Sequence, residues 1–207
     1  VPVFAVFFAF SGGAWTRNCP LGVYSFRTWL NNAVRFARFF DEGQPMISKK
    51  VAMLGMWGVG KTSLVQQFVN SIYDEKYLST LGVKVDKKVV NVAATDVNLM
   101  LWDIAGAEDH FSVPLHYIKG SAGYLLVIDG TRKASLQVGL DLIQVVKDGV
   151  GDIPFVPVIN KCDLDWELSD DDITSALAPF DVTWFKSSAK TGENVDLAFE
   201  TLAGQLL

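Results

Sequence analysis

Cysteine is nearly absent from this chain: of 207 residues only Cys19 and Cys162 carry a thiol, and neither has a histidine at ligand spacing. That argues against a disulfide framework or a thiolate zinc site and fits a reducing compartment, so a cytoplasmic location is expected. Basic charge is also short. With 18 Lys and Arg against 23 Asp and Glu, and a net charge of −5, the positive footprint that nucleic acid requires is missing. The apolar start, Val1–Phe10, falls short of the roughly 20 residues that span a bilayer. It also lacks the basic n-region and the small-residue cleavage site of a secretory signal. No internal repeat or low-complexity tract is visible. What remains is half apolar and a fifth charged, in a length that suits one good-sized core with a small appendage.

The missing residue types are not spread evenly. Residues 1–40 hold no Lys, Asp or Glu; their only charges are Arg17, Arg27, Arg35 and Arg38, and they contain 8 of the 14 Phe. From residue 41 on there are 13 Lys, a single Arg (Arg132) and all 23 acids. So sharp a change marks a boundary, placed here between an atypical extension, 1–45, and a domain, 46–207. Residues 24–40 can form an amphipathic helix, with Phe26, Trp29, Leu30 and Phe40 on one face and Arg35 and Arg38 on the other. Such a helix can lie on a membrane surface. The competing expectation, which we favour at this point, is that the native start is Met46 and that the extension lies upstream of it. Membrane contact is thus expected only if the extension is real. The given chain ends at Gln205-Leu206-Leu207 without a cysteine, so prenyl anchoring is not expected.

The domain is organised around Leu54-Gly55-Met56-Trp57-Gly58-Val59-Gly60-Lys61-Thr62-Ser63, which fits G-x-x-x-x-G-K-[ST] and lies between an apolar run and a helical pattern. Glycine at 55, 58 and 60 lets successive backbone N–H groups turn inward around a phosphate chain, where a Cβ would clash. Lys61 can then reach β- and γ-phosphate oxygens, and the Thr62 hydroxyl can ligate Mg²⁺. The helix that follows points its positive end at the same anion. Gly55, Gly58, Val59, Gly60, Lys61, Thr62 and Ser63 are therefore candidate nucleotide-binding residues.

Short apolar runs at Lys50–Leu54, Tyr124–Ile128 and Phe155–Ile159 read as strands covered on both faces. Val83–Ala93 and Asp96–Ile104, parted by Ala94-Thr95, read as a hairpin whose first strand is an antiparallel edge. Val182–Phe185 reads as a last strand. Helices are expected over Thr62–Asn70, Ser135–Lys147, from Asp170 onward, and over Asn194–Leu206. The fold class is therefore α/β: a six-stranded, mostly parallel sheet with one antiparallel edge strand and helices on both faces.

In such folds ligands sit at the carboxyl ends of the strands, and polar motifs fall there. In Trp102-Asp103-Ile104-Ala105-Gly106, Asp103 can hold Mg²⁺ through a water and the Gly106 N–H can meet a γ-phosphate. In Asn160-Lys161-Cys162-Asp163 a carboxylate can accept two hydrogen bonds from guanine, which adenine cannot offer. In Ser188-Ala189-Lys190 the backbone can donate to guanine O6.

These motifs, in this order over about residues 49–206, resemble the Ras-like small GTPases, nearest the Rab type and its prokaryotic Rab-like relatives. The resemblance implies a monomeric switch that takes GTP or GDP with Mg²⁺ and hydrolyses GTP. It makes Thr80 the second Mg²⁺ ligand beside Thr62 and Asp103, with Lys61, Thr80 and Gly106 acting on the transferred phosphate. It sets Tyr73 against the guanine edge, Tyr77 over the γ-phosphate, and the Lys161 stem along the base. It implies effector, exchange-factor and GTPase-activating partners on residues 73–84 and 103–117.

Two residues depart from the family pattern. Ala107 stands where a glutamine orients the attacking water, so slow hydrolysis is expected unless Glu108, His110 or a partner substitutes. Trp57 puts an indole into the phosphate loop, either across the entry path of a partner's arginine or lying harmlessly outward. The alternative function is a GTP-binding module with little chemistry, set by nucleotide exchange. An ATP-dependent P-loop kinase is disfavoured by Asn160–Asp163 and by the absence of a lid-like arginine cluster. His116 is read as a partly buried helix residue, Cys162 as inert packing, and Trp166 and Trp184 as core or surface aromatics.

Overall fold

In a chain whose apolar runs alternate with amphipathic stretches, each inner strand must bury two faces and each helix one. The structure, a computed structural model, describes residues 47–74, 80, 82–105 and 115–207. The extension 1–45, Met46, Tyr77, Gly106, Ala107, Glu108 and His110 lie outside the described residues.

Within them the elements run β1 (Ile47–Leu54), α1 (Lys61–Asn70), β2 (Val83–Val92), β3 (Thr95–Ile104), α2 (Leu115–Ile118), β4 (Gly123–Asp129), α3 (Lys133–Gly149), β5 (Phe155–Asn160), α4 (Asp170–Leu177), a 3₁₀ turn (Ala178–Phe180), β6 (Phe185–Lys186) and α5 (Val195–Gln205). The sheet order is β2-β3-β1-β4-β5-β6. Only the edge pair β2–β3 is antiparallel; β3–β1, β1–β4, β4–β5 and β5–β6 are parallel. The expected architecture is thus the observed one.

The two-residue period of the strands divides the core in two. Val51, Met53, Leu99, Leu101, Leu125 and Val127 point to one face, where they meet Leu64, Val65 and Phe68 of α1 and Phe199 and Leu202 of α5. Ala52, Leu54, Leu126 and Ile128 point to the other, against Leu142, Ile143 and Val146 of α3 and Ile173 and Leu177 of α4. All seven residues of β4 are buried, as a central strand covered on both faces must be. Helix α1 shows its apolar spacing at Leu64, Val65 and Phe68 and ends where Ser71 turns left-handed and its N–H returns to the Gln67 carbonyl. Helix α4 opens with a capping box: the Ser169 hydroxyl accepts from the Asp172 N–H, and the Ser169 N–H donates to the Asp172 carboxylate.

Three local expectations need correction. The hairpin turns at Ala93-Ala94, not Ala94-Thr95, because Val92 pairs with Thr95 and leaves two residues, both at positive φ (50° and 63°), to reverse the chain. The last strand is Phe185–Lys186 rather than Val182–Phe185. Only those two residues register with Val158 and Ile159, whereas Val182 and Trp184 pack into the α3/α4 side of the core. His116 is exposed rather than partly buried, with its ring 4.0 Å from that of Tyr117.

On the α1/α5 face, Phe68 and Phe199 stack with centroids 3.9 Å apart and planes 4° from parallel. Both are almost fully buried. Phe199→Ala is expected to lower the unfolding free energy by about 3–5 kcal/mol in urea titrations, through lost transfer energy and the cavity left behind.

Candidate functional site

Strands β1, β3, β4 and β5 run parallel, so their carboxyl ends and the loops that follow lie on one side of the molecule. After β1 the chain must turn sharply beneath β4 before α1 begins. At Gly55 (φ 146°) an added Cβ would lie 2.2 Å from the Val127 carbonyl oxygen; at Gly60 (φ 99°) it would lie 2.2 Å from Asn160 Nδ2. Neither place admits a side chain. The loop therefore offers bare backbone to its interior, the concave arrangement that receives anions.

Lys61, the first residue of α1, is buried and folds back across this loop. Its Nζ donates to the carbonyls of Gly55 (3.0 Å) and Met56 (3.1 Å). Burial pulls its pKa down to about 8, against the opposing pull of the Asp103 carboxylate. Three oxygens converge beside it. Thr62 donates to Asp103 Oδ2 at 2.6 Å, and the Thr80 hydroxyl lies 2.7 Å from that of Thr62 and 3.3 Å from the same carboxylate oxygen. Asp103 Oδ1 is buried with no hydrogen-bond partner, and burial pushes the Asp103 pKa up despite the help of Thr62 and Lys61. An orphaned carboxylate oxygen beside two hydroxyls suits a hard cation that keeps waters and phosphate oxygens in its shell. The described residues contain no group of three or more His, Cys, Asp and Glu able to hold a metal. The oxygens of Thr62, Thr80 and Asp103 are of the chemistry that suits a Mg²⁺ ion taking the rest of its shell from phosphate and water.

A cleft beside the phosphate loop is built on Asn160, the last residue of β5. Its buried amide donates to the Val59 carbonyl (2.8 Å) and accepts from the Ala189 N–H (3.0 Å), tying the phosphate loop to the loop after β6. Ser188 is buried; its hydroxyl donates to Asp163 Oδ1 at 2.6 Å and accepts from the N–H groups of Lys190 and Thr191. Gly58, Gly60, Ser63, Tyr73, Asn160, Lys161, Asp163, Ala189 and Lys190 all line one cleft. Lys161 stands at φ 69°, the left-handed region that a non-glycine residue rarely adopts. The Trp166 indole N–H donates to its carbonyl at 2.9 Å.

Two further residues were not singled out from sequence as part of this site. Asp129 ends β4 with a fully buried side chain and receives Lys161 Nζ at 2.6 Å and Arg132 Nε at 2.9 Å. Burial opposes its charge, but Lys161 and Thr131 outweigh burial and hold its carboxyl below the usual value. The available signal was a carboxylate closing an otherwise apolar strand, at the end where ligands bind. Trp166 is the second. It packs so closely over Gly130 that a Cβ there would lie 2.2 Å from the indole. Cys162 donates weakly to Glu193 (3.4 Å), and burial raises its thiol to about 11, which disfavours the reactive thiolate. The Trp57 ring is about half exposed.

A parallel sheet in this order, with a glycine phosphate loop after its first strand and Asn160, Asp163 and Ser188 around the cleft, defines a P-loop domain of the small-GTPase class. The model of the Ras family matches residues 50–207. The Ras-related protein Rab-32A of Dictyostelium discoideum is 34% identical over 179 residues, covering 81% of this chain and 81% of its own. Rab-7b of Mus musculus is 32% identical over 170 residues (78% and 83%), and Rab-1 of Theileria parva 32% over 161 (76% and 73%). The chain belongs to the Ras family and is a Rab-type small GTPase, a GTP-binding switch that works through protein partners. No helix among the described residues is long and apolar enough to cross a membrane.

A polyphosphate favours the charged form of Lys61, so binding must draw in a proton wherever the free lysine is neutral. Titration calorimetry in buffers of different ionisation enthalpy is expected to show proton uptake above the lysine's value of about 8. That uptake is expected to fall steeply below it, and nucleotide affinity to weaken as pH rises through it.

Proposed function

We propose that the chain is a guanine-nucleotide switch in which one cleft grips both ends of the ligand. Lys61 and the N–H groups of residues 58–63 receive the phosphates. Thr62, Thr80 and Asp103 hold Mg²⁺, which when bound neutralises charge on the β- and γ-phosphates. At the far end Asp163 accepts from the guanine N1–H and amino group, the Lys161 stem lies along the base, and Tyr73 closes its edge; the Ala189 and Lys190 N–H groups, which donate to the Asn160 and Ser188 side chains in this structure, share or exchange those bonds to meet O6. Thr80 and the Gly106 N–H form the contacts that depend on the γ-phosphate. Its loss releases the segments 73–84 and 103–117 that partners read, an order-to-disorder switch.

The observation that carries this reading is the Asn160 amide, which joins the phosphate loop to the purine end through Val59 and Ala189. Asp163 is held beside it by Ser188, aimed by a hydrogen bond from a buried hydroxyl. A site that pairs a carboxylate with guanine leaves that carboxylate unpaired against adenine, a difference of about a thousandfold or more. In competition for the Mg²⁺-loaded protein, GTP is expected to displace a labelled guanine nucleotide at least that much more effectively than ATP does. Asp163→Ala is expected to erase most of the difference. Equal uptake of ATP and GTP by the unaltered chain defeats the reading.

Hydrolysis is the slower half of the proposal. Ala107 carries no group that can orient water, and positioning with electrostatics supplies nearly all of phosphoryl-transfer catalysis. The second reading, a binding module governed by exchange, rests on the same residue and differs in which nucleotide copurifies: GTP for the module, GDP for the cycling enzyme. In single-turnover assays Ala107→Gln is expected to speed GTP hydrolysis by about tenfold or more; equal rates remove the role assigned to Ala107.

A further inference from the structure

Among the described residues, two side chains anchor the phosphate loop from outside. One anchor is Asn160 on the Val59 carbonyl, described above. The other starts from Asp129, whose two carboxylate oxygens serve different sides. Oδ1 accepts from the Thr131 N–H (3.0 Å) and hydroxyl (2.7 Å), which fixes the carboxylate to its own turn. Oδ2 accepts from Lys161 Nζ at 2.6 Å and from Arg132 Nε at 2.9 Å. Arg132 does not stop there: its Nη2 donates to the Trp57 carbonyl at 3.0 Å, and its guanidinium lies 5.6 Å from the centre of the Trp57 ring. One carboxylate therefore connects the lysine of the purine end, through a forked cation, to the backbone of the phosphate loop.

We propose that Asp129 and Arg132 form a latch that holds Trp57 and Lys161 in place together and so sets how long a nucleotide stays bound. The inference rests on the guanine-nucleotide reading above and deepens it. The physics favours coupling over two separate contacts. Asp129 has no exposed side-chain surface, whereas Arg132 and Lys161 keep 31% and 32% of theirs. Removing the carboxylate would leave two cations facing one another with no shared acceptor. Arginine suits the place because its rigid fork can serve two acceptors, the Asp129 carboxylate and the Trp57 carbonyl; a lysine offers one point charge. The indole of Trp57 adds cation–π attraction on the solvent side. This gives the otherwise exposed ring a role: it covers the latch. The loop needs such a hold because its glycines supply no side chains of their own to pack it.

Asp129 and Arg132 act here as positioning residues, and the test separates that from a general structural role. The full chain is loaded with fluorescent methylanthraniloyl-GDP, and its release is timed after addition of excess unlabelled GDP. Arg132→Ala is expected to speed release by about tenfold, the scale of losing a charge-assisted hydrogen bond, with a native circular dichroism spectrum retained. Arg132→Lys is expected to recover little of the loss. Trp57→Ala, which keeps the carbonyl, is expected to speed release less than Arg132→Ala does. The double variant Asp129→Asn with Arg132→Ala is expected to release no faster than the faster single variant, since both changes break one connection.

Unchanged release in Arg132→Ala, full rescue by Arg132→Lys, or single effects that multiply in the double variant overturns the latch. Should Asp129→Asn fail to fold, the Arg132→Ala and Arg132→Lys pair decides alone. A wild-type chain that takes up no labelled GDP defeats the guanine reading itself and this inference with it, whereas tight uptake with unchanged release defeats only the latch.

Discussion

Two absent Cβ atoms are the constraint on which the site depends. The turn after β1 passes so close under the Val127 carbonyl and against the Asn160 amide that no residue but glycine fits at 55 and 60. Because the backbone comes that close, Asn160 can reach the Val59 carbonyl, and through it the loop after β6 joins the phosphate end. A side chain at either place would push the loop outward and separate the two halves of the cleft. The parallel sheet serves the same end by delivering β1, β3, β4 and β5 to a common side, where β1 runs into the phosphate loop and Asp103, Asp129 and Asn160 stand at or next to the ends of the other three.

The charge pattern of the cleft follows from burial. Lys61 and Asp103 are each driven toward neutrality by loss of water, and each resists because the other is near. A site with a depressed ammonium and an elevated carboxylate is poised for ligands that bring opposite charges to both: an anion for Lys61 and a cation for Asp103. Asp129 is the contrasting case. It is buried as deeply but surrounded by Lys161, Arg132 and Thr131, so it stays ionised and serves as scaffold.

Much of this was legible in the residues. The alternating apolar runs foretold the sheet because strand burial is a local pattern, and the glycine-rich stretch foretold a phosphate loop because its backbone needs are written one residue at a time. What escaped was what tertiary contact decides. Residues 182–184 look like a strand, yet Val182 and Trp184 pack on the α3/α4 core and only Phe185 and Lys186 meet β5. Arg132 gave no sign of holding the phosphate loop because Trp57, whose carbonyl it reaches, lies 75 positions earlier in the chain. Trp166 read as an aromatic of no fixed duty, whereas its indole N–H fixes the carbonyl of Lys161 in a backbone region few side chains tolerate.

The hairpin between β2 and β3 reverses on two alanines, both in the left-handed region, where each costs on the order of 1 kcal/mol relative to glycine or asparagine. The strands hold that bend against its own preference: ten residues of each are in register, from Val83 opposite Ile104 to Val92 opposite Thr95. Register is therefore set by the ladder and not by the tip. Ile104 adjoins Asp103, and the alanines lie at the other end of the hairpin, so this bend is the place to splice in a tag or a probe while leaving the cleft undisturbed.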